Sequence, residues 1–174
     1  ETEKVVDVCS AVSEYFDWFA KLPRERSCYS KRNPEPATCV HEERNGARVF
    51  VGARDSAEDY VFLVGNGVGL VVSVLPEGVR VNVPNGVTKT FRFDSLRFGS
   101  YGQWFELVVV FWDALTDGVS VLFHCEAGIH RGPMCAAGAL ACLQKLGIDE
   151  VYEYLVFGSG RYVDPGSFVR HVGP

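Results

Sequence analysis

The sequence lacks an excess of basic residues and any long apolar run. Lys and Arg number 17 against 22 Asp and Glu, which leaves a formal net charge of -5. Broad nucleic-acid binding requires a dense basic surface, so this balance argues against a nucleic-acid partner. The longest apolar candidate, VFLVGNGVGLVVSVL, is broken by glycines and an Asn and is shorter than the ~20 residues of a membrane helix. The last residues do not match a prenylation box, so no membrane partner is predicted.

Cysteines are too sparse and too irregularly spaced for a disulfide-stapled secreted domain. The six are Cys9, Cys28, Cys39, Cys125, Cys135 and Cys142. This usage favours an intracellular, reducing compartment, with the cytoplasm or the nucleus as the predicted location. Cys135 and Cys142 lie in an apolar helical pattern, which indicates packing on one helix face in the core.

The chain divides near residue 47 into two segments of different character. Residues 1–47 contain a helical pattern over 3–22 and a polar stretch over 24–46, which is predicted to be a loop or linker. The N-terminal helix either packs on the domain or mediates dimerisation. The pattern does not choose between the two, so the oligomeric state stays open. Residues 48–174 are predicted to form one domain.

Strand and helix patterns alternate from residue 48 onwards. Strands are predicted in ARVFVG, VGLVVSVL, VRVNV, VTKTFRF and VSVLF. Helices are predicted in DSAEDYVFLVGNG (capped by Asp55 or Ser56), YGQWFELVVVFWDALTDG, PMCAAGALACLQKLG and DEVYEYLVFG, with a last short one starting at Asp164-Pro165. This order predicts a single-domain α/β fold with a central, mostly parallel sheet flanked by helices.

The stretch HCEAGIHRGP, residues 124 to 133, joins the buried strand VSVLF to a helix. Ligands of open α/β sheets bind outside the carboxyl ends of strands, where loop amides and a helix N-terminus hold an anion. Arg131 adds a planar fork that can grip two phosphate oxygens. The same positive field stabilises a thiolate, so Cys125 is a candidate nucleophile for a phosphoryl group.

Three other interpretations of this stretch stay open. In the first interpretation, the stretch is a plain connection between a strand and a helix. The second is a metal site made by His124, Cys125 and His130, against which no further Cys/His pair has ligand spacing. The third is an anion-binding loop that binds without turnover.

HCEAGIHR resembles the H-C-x5-R signature of cysteine-dependent protein phosphatases, and residues 48 to 172 are similar to a compact dual-specificity phosphatase in element order. The resemblance implies a phosphocysteine mechanism that uses no metal and no cofactor. It implies that Cys125 is the nucleophile and that His124 orients the loop. It also implies that phosphate is held by the Arg131 side chain and by the amides of the loop residues Glu126, Ala127, Gly128, Ile129, His130 and Arg131.

The same family carries its general-acid Asp on a loop roughly thirty residues before the Cys, and here Asp94 lies 31 positions upstream of Cys125. The predicted role of Asp94 is to protonate the leaving oxygen and then to activate water. A turn-forming or helix-capping Asp is the alternative. Asp113, within a helix pattern, and Asp117, in a D-G turn, are weaker candidates.

Two residues depart from the family pattern. Gly132 stands where members commonly carry Ser or Thr, whose hydroxyl helps the thiolate leave the phosphoenzyme. Regenerating-liver phosphatases also lack that hydroxyl, so slow breakdown of the intermediate is expected, although their prenylated basic tail is absent here. Glu126 places an acid in a loop without Lys, which argues against inositide or RNA 5′-end substrates and favours phosphoproteins.

The predicted function is hydrolysis of phosphotyrosine, and also of phosphoserine or phosphothreonine, in a phosphorylated protein substrate. The alternative is a low-turnover pseudophosphatase that binds phosphorylated partners. A rhodanese-fold phosphatase or sulfurtransferase also carries C-x5-R, but Asp94 and the two helices predicted after the loop argue against it.

Overall fold

The computed structural model describes residues 37–76, 78–87, 89–94, 101–126 and 131–143. The elements in chain order are β1 (Ala37–Glu42), β2 (Arg48–Gly52), α1 (Arg54–Ala57), α2 (Tyr60–Gly65), β3 (Val68–Leu75), β4 (Lys89–Asp94), α3 (Tyr101–Thr116), β5 (Ser120–His124) and α4 (Arg131–Cys142). The predictions for the N-terminal helix, DEVYEYLVFG and Asp164-Pro165 lie outside the described residues. None of the described helices has the length and apolar character needed to cross a membrane.

The five strands form one sheet in the order β1-β2-β5-β3-β4. β1 is antiparallel to β2, and the other neighbours are parallel. The α/β fold with a mostly parallel sheet flanked by helices is therefore confirmed. The central strands β5 and β3 are apolar because helices cover both of their faces.

Two apolar clusters lie on opposite faces of the sheet. On the first face, Val72 and Phe123 pack with Trp104 of α3 and Leu140 of α4. Cys135 and Cys142 belong to this cluster, which confirms their predicted place in the core. On the second face, Val71 and Leu122 pack with Ala57 and Leu63 from α1 and α2. From the irregular segment 79–87, Val81, Val83 and Val87 lie against them.

Three local predictions were wrong. The predicted linker contains the edge strand β1, because the Ala37–Glu42 backbone pairs with β2. The predicted strand VRVNV is irregular: the Asn82 amide donates to the Glu58 carboxylate at 2.9 Å, where a strand would bond a neighbouring backbone. The single helix predicted in DSAEDYVFLVGNG is two short helices, and the second is capped by Asp59, which accepts from the Phe62 amide.

Candidate active site

The candidate site lies where the chain leaves β2 and β5 in opposite directions. These neighbouring strands are parallel, but β2 leads into α1 on the second face and the chain after β5 enters α4 on the first face. Such a topological switch point opens a crevice beyond the carboxyl ends of the strands, where α/β proteins bind ligands. Cys125 directly follows β5 at this point and is 1% exposed.

The predicted phosphate-binding loop is described at its two ends. Cys125 and Glu126 are described at the beginning, and the backbone of Arg131 is described as the first residue of α4. Ala127, Gly128, Ile129 and His130 lie outside the described residues, so their predicted contacts with phosphate stay predictions. For Arg131 and Asp94 only the backbone is described, so their proposed roles depend on chain position.

Gly132 brings the first turn of α4 directly against the backbone of Cys125. A Cβ atom built on Gly132 would lie 3.0 Å from the Cys125 nitrogen and 3.0 Å from the His124 carbonyl carbon. Both distances are shorter than ordinary van der Waals contact, so a side chain here would push the helix away from the strand end. The close approach places the positive end of the α4 dipole next to Cys125, where it favours a bound anion.

His124 is fully buried and makes two hydrogen bonds. Its Nδ1 lies 3.1 Å from the Cys125 carbonyl oxygen, and its Nε2 lies 2.6 Å from Ser73 Oγ. Because a carbonyl only accepts, Nδ1 carries the proton and Nε2 accepts from the serine hydroxyl. Burial lowers the pKa of His124, more strongly than the bond to the Cys125 carbonyl raises it, and nearby Arg54 lowers it further. The neutral ring thus links Ser73 of β3 to the carbonyl of Cys125.

We expect the stability of the fold to fall in mild acid because of His124. Its pKa in the unfolded chain is close to the ordinary 6.5, and in the folded chain it is lower. As the pH falls through 6.5 the unfolded chain binds the proton first, so unfolding becomes easier; above that pH the penalty is absent. In urea unfolding, His124 should contribute a loss of up to about 1.4 kcal/mol between about pH 7.5 and about pH 5.5, and this contribution should be absent in His124→Asn. Equal pH dependence in both proteins would contradict this.

Arg54 ties the beginning of the loop to α1. Its amide donates to the Glu126 carbonyl at 3.0 Å, and its Nη1 lies 3.5 Å from the Glu126 carboxylate. The same guanidinium donates to the Arg80 carbonyl and lies 3.9 Å from the Glu58 carboxylate. The pair with Glu126 is exposed and is worth less than about 1 kcal/mol to stability. This pairing nevertheless offsets the negative charge of Glu126. That charge was the reason for expecting poor binding of inositides and RNA 5′ ends.

Asp94 is the last residue of β4 and pairs with Leu75. Two rows earlier in the sheet, Ser73 pairs with Arg92 on one side and with His124 on the other. Two strand spacings of about 4.8 Å therefore separate β4 from β5 at the edge where Cys125 lies. Asp113 and Asp117 lie at the other edge, since Asp117 precedes the start of β5. The fold thus places Asp94 at the same edge of the sheet as Cys125, and places Asp113 and Asp117 at the opposite edge.

The cysteines in the described part of the chain are all free thiols: Cys39, Cys125, Cys135 and Cys142. Burial raises the pKa of Cys142 to about 12 and raises that of Cys135 well above its ordinary value. These two core thiols are therefore poor nucleophiles. Within the described residues, no group of three His, Cys, Asp or Glu side chains is arranged to hold a metal ion.

Two residues of the site were missed in the sequence. Ser73 is the one hydroxyl residue in the apolar strand VGLVVSVL, which is a usable signal that its side chain has a buried polar partner. Arg54 follows β2 at the carboxyl edge of the sheet, where a ligand is expected. Its contact with Glu126 joins residues 72 positions apart and has no local signature.

Similar proteins were found among solved structures. No protein-family profile matches the chain, and no curated protein sequence is significantly similar to it. Human DUSP28 superposes with a TM-score of 0.62 at 16% identity, over 82% of this chain and 93% of that one. Human tyrosine phosphatase-like serine/threonine/tyrosine-interacting protein gives 0.55 at 19%, over 71% and 87%. Cydia pomonella PTP-2 phosphatase gives 0.54 at 21%, over 78% and 87%. The chain has the dual-specificity phosphatase fold.

Proposed function

We propose that this protein is a cysteine-dependent protein phosphatase that hydrolyses phosphotyrosine, and also phosphoserine or phosphothreonine. The main support is the packing of the α4 N-terminus on Cys125 through Gly132, at the carboxyl end of a central parallel strand. Neighbours in fold that are named phosphatases, such as Cydia pomonella PTP-2 phosphatase, support the same reaction class. The free cysteines support action in a reducing compartment such as the cytoplasm or nucleus.

The reaction proceeds in two displacements. The Cys125 thiolate attacks phosphorus, the bond to the substrate oxygen breaks, and Asp94 gives that oxygen a proton. Asp94 then takes a proton from water, which attacks phosphorus and breaks the sulfur–phosphorus bond to release inorganic phosphate. The Arg131 guanidinium and the loop amides of residues 126 to 131 bind the non-reacting phosphate oxygens throughout. No metal and no cofactor takes part in these steps.

The substrate class follows from the charge of the loop. The stretch HCEAGIHR contains no Lys, and its acid Glu126 is paired with one cation, Arg54. A loop of this charge suits a single phosphate on a protein side chain better than a cluster of phosphates. We therefore propose a phosphoprotein as the substrate.

The decisive experiment compares turnover with binding. The purified chain is assayed for phosphate release from an aryl phosphate and from phosphotyrosine, phosphoserine and phosphothreonine peptides. Release above the level of a Cys125→Ser control supports an enzyme. Tight binding of phosphopeptide without release supports the alternative, a pseudophosphatase that binds phosphorylated partners. One neighbour in fold is named a tyrosine phosphatase-like serine/threonine/tyrosine-interacting protein, and this name supports keeping the alternative.

We expect slow breakdown of the phosphoenzyme, because Gly132 supplies no hydroxyl to the departing thiolate. A direct test with Gly132→Ser is confounded, since any Cβ here presses on the Cys125 nitrogen at 3.0 Å. Gly132→Ala has the same Cβ without the hydroxyl and is the matched control. The Ser variant should lose its phosphoryl group about tenfold faster than the Ala variant, as one hydrogen bond to a charged atom allows. Rapid quench with mass detection measures this, and equal lifetimes would show that the hydroxyl is not limiting.

A further inference from the structure

An open depression of about 460 Å³ lies beside the candidate active site. Its described lining comes from residues 78–82 and from Arg92 of β4. Two of these side chains, Arg80 and Arg92, are cationic, and the described lining contains no acid. Such a basic hollow is notable in a chain whose formal net charge is -5.

The depression lies on the same edge and the same face as the Ser73–His124 pair. Ser73 pairs in register with His124 on one side and with Arg92 on the other. Paired residues of parallel strands point to the same face, and Phe91 and Phe93, which flank Arg92, pack on the first face. Arg92 therefore projects on the second face, about 10 Å from His124 across two strand spacings.

The guanidinium of Arg92 reaches towards the carboxyl edge of the sheet. It donates to the carbonyl of Pro76, the residue directly after β3. Cys125 is likewise the residue directly after β5, so the cation and the nucleophile lie beyond the ends of neighbouring strands. A guanidinium has five donors, and a bond to one carbonyl leaves others to bind an anion.

Residues 78–82, which form one side of the depression, are connected to the beginning of the predicted phosphate-binding loop. The Arg80 carbonyl accepts from Arg54, whose amide and Nη1 contact Glu126. Two residues further on, the Asn82 amide donates to the Glu58 carboxylate. Residues 80–82 are thus held by α1 and the residue that follows it. The Arg54 side chain spans the space between the Arg80 carbonyl and Glu126.

We propose that Arg80 and Arg92 form a second anion-binding subsite, which receives another acidic group of the phosphopeptide substrate. The proposal rests on the proposed function. An extended peptide advances about 3.3 Å per residue, so the second group would lie about three residues from the phosphorylated one. The group is a carboxylate or a second phosphate, both of which a guanidinium binds in the same way.

The test uses phosphotyrosine peptides that differ only at the residues three positions to each side. One peptide carries Gln there, a second carries Glu, and a third carries phosphoserine. The wild-type chain should favour the Glu peptide over the Gln peptide by about tenfold in kcat/KM, mainly through KM, since a charged hydrogen bond contributes that much. The phosphoserine peptide shows whether a second phosphate is favoured over a carboxylate. The preference should shrink in high salt.

The double variant Arg80→Gln/Arg92→Gln should reduce this ratio to nearly one. Arg44→Gln is the matched control, because it removes the same charge at the β1–β2 turn beyond the opposite edge. The ratio of two peptides on one variant cancels any loss of folded protein. An unchanged ratio in the double variant, or no preference in the wild type, overturns the subsite.

Failure of the proposed function has a different signature. If the wild type hydrolyses no peptide, the phosphatase proposal fails, and the subsite is tested by fluorescence anisotropy with the same labelled peptides. Tighter binding of the Glu or phosphoserine peptide that is lost in Arg80→Gln/Arg92→Gln supports it. Equal binding of all three peptides overturns it.

Discussion

Replacement of Cys125 by Ser is expected to lower kcat/KM by at least about 1,000-fold, because a hydroxyl is a far weaker nucleophile than a thiolate. Binding of phosphate or vanadate should survive, since the loop amides and Arg131 are unchanged. Phosphate release measures the first effect, and calorimetric titration with vanadate measures the second. The expected combination of lost turnover and retained binding separates a chemical role of Cys125 from a structural one.

Cys39→Ser is the matched control for this experiment. Cys39 is also a free thiol, but it lies on the edge strand β1, and burial raises its pKa. Its replacement should leave turnover within about twofold of the wild type, the range expected for a change away from the site. Full activity in Cys125→Ser would refute the phosphocysteine mechanism, whatever the control shows.

Replacement of Asp94 by Asn should lower kcat by about 100- to 10,000-fold on phosphoserine peptides, the usual contribution of a general acid. The amide has the shape of the carboxyl group but cannot give a proton to the leaving oxygen. An aryl phosphate with a good leaving group needs that proton less, so its loss should be smaller. Steady-state assays with both substrates measure the difference between the two losses.

Two other aspartates serve as controls for Asp94. Asp113 and Asp117 lie on or after α3, at the edge of the sheet opposite Cys125. Asp113→Asn and Asp117→Asn should therefore keep wild-type turnover on both substrates. Equal losses on the two substrates in Asp94→Asn would indicate a structural role for Asp94, such as capping, and would remove it from the mechanism.

Sequence patterns predicted the elements whose burial is decided locally. VGLVVSVL and VSVLF are apolar on both faces, as central parallel strands must be, and they form β3 and β5. The long helix pattern ends at Asp117-Gly118 as expected, because Gly118 adopts φ 75°, which glycine tolerates. The order of these elements placed Cys125 after a strand and before a helix.

Two of the three local errors share one physical cause. VRVNV alternates like a strand, yet the backbone amide of Asn82 bonds to the Glu58 side chain. Val81 and Val83 pack on the second face without a strand ladder. Residues 37–42 carry a weak pattern but pair with β2, because an edge strand needs only one backbone neighbour. In both segments the conformation depends on the group that the backbone bonds to. For residues 79–83 that group is the Glu58 side chain, and for residues 37–42 it is β2, and the segments' own sequences do not reveal either.

By itself, the sequence determined the fold class and the candidate nucleophile. Hydrophobic periodicity and the H-C-x5-R spacing are local properties of the chain, and each is readable over a few residues. Tertiary structure alone decided what surrounds Cys125. Ser73 reaches His124 from another strand, Arg54 meets Glu126 from the beginning of α1, and α4 approaches so closely that a Cβ atom on Gly132 would lie 3.0 Å from the Cys125 nitrogen. The first two contacts join segments distant in the chain, and the third depends on how α4 packs on the sheet, so only the folded arrangement of strands and helices produces them.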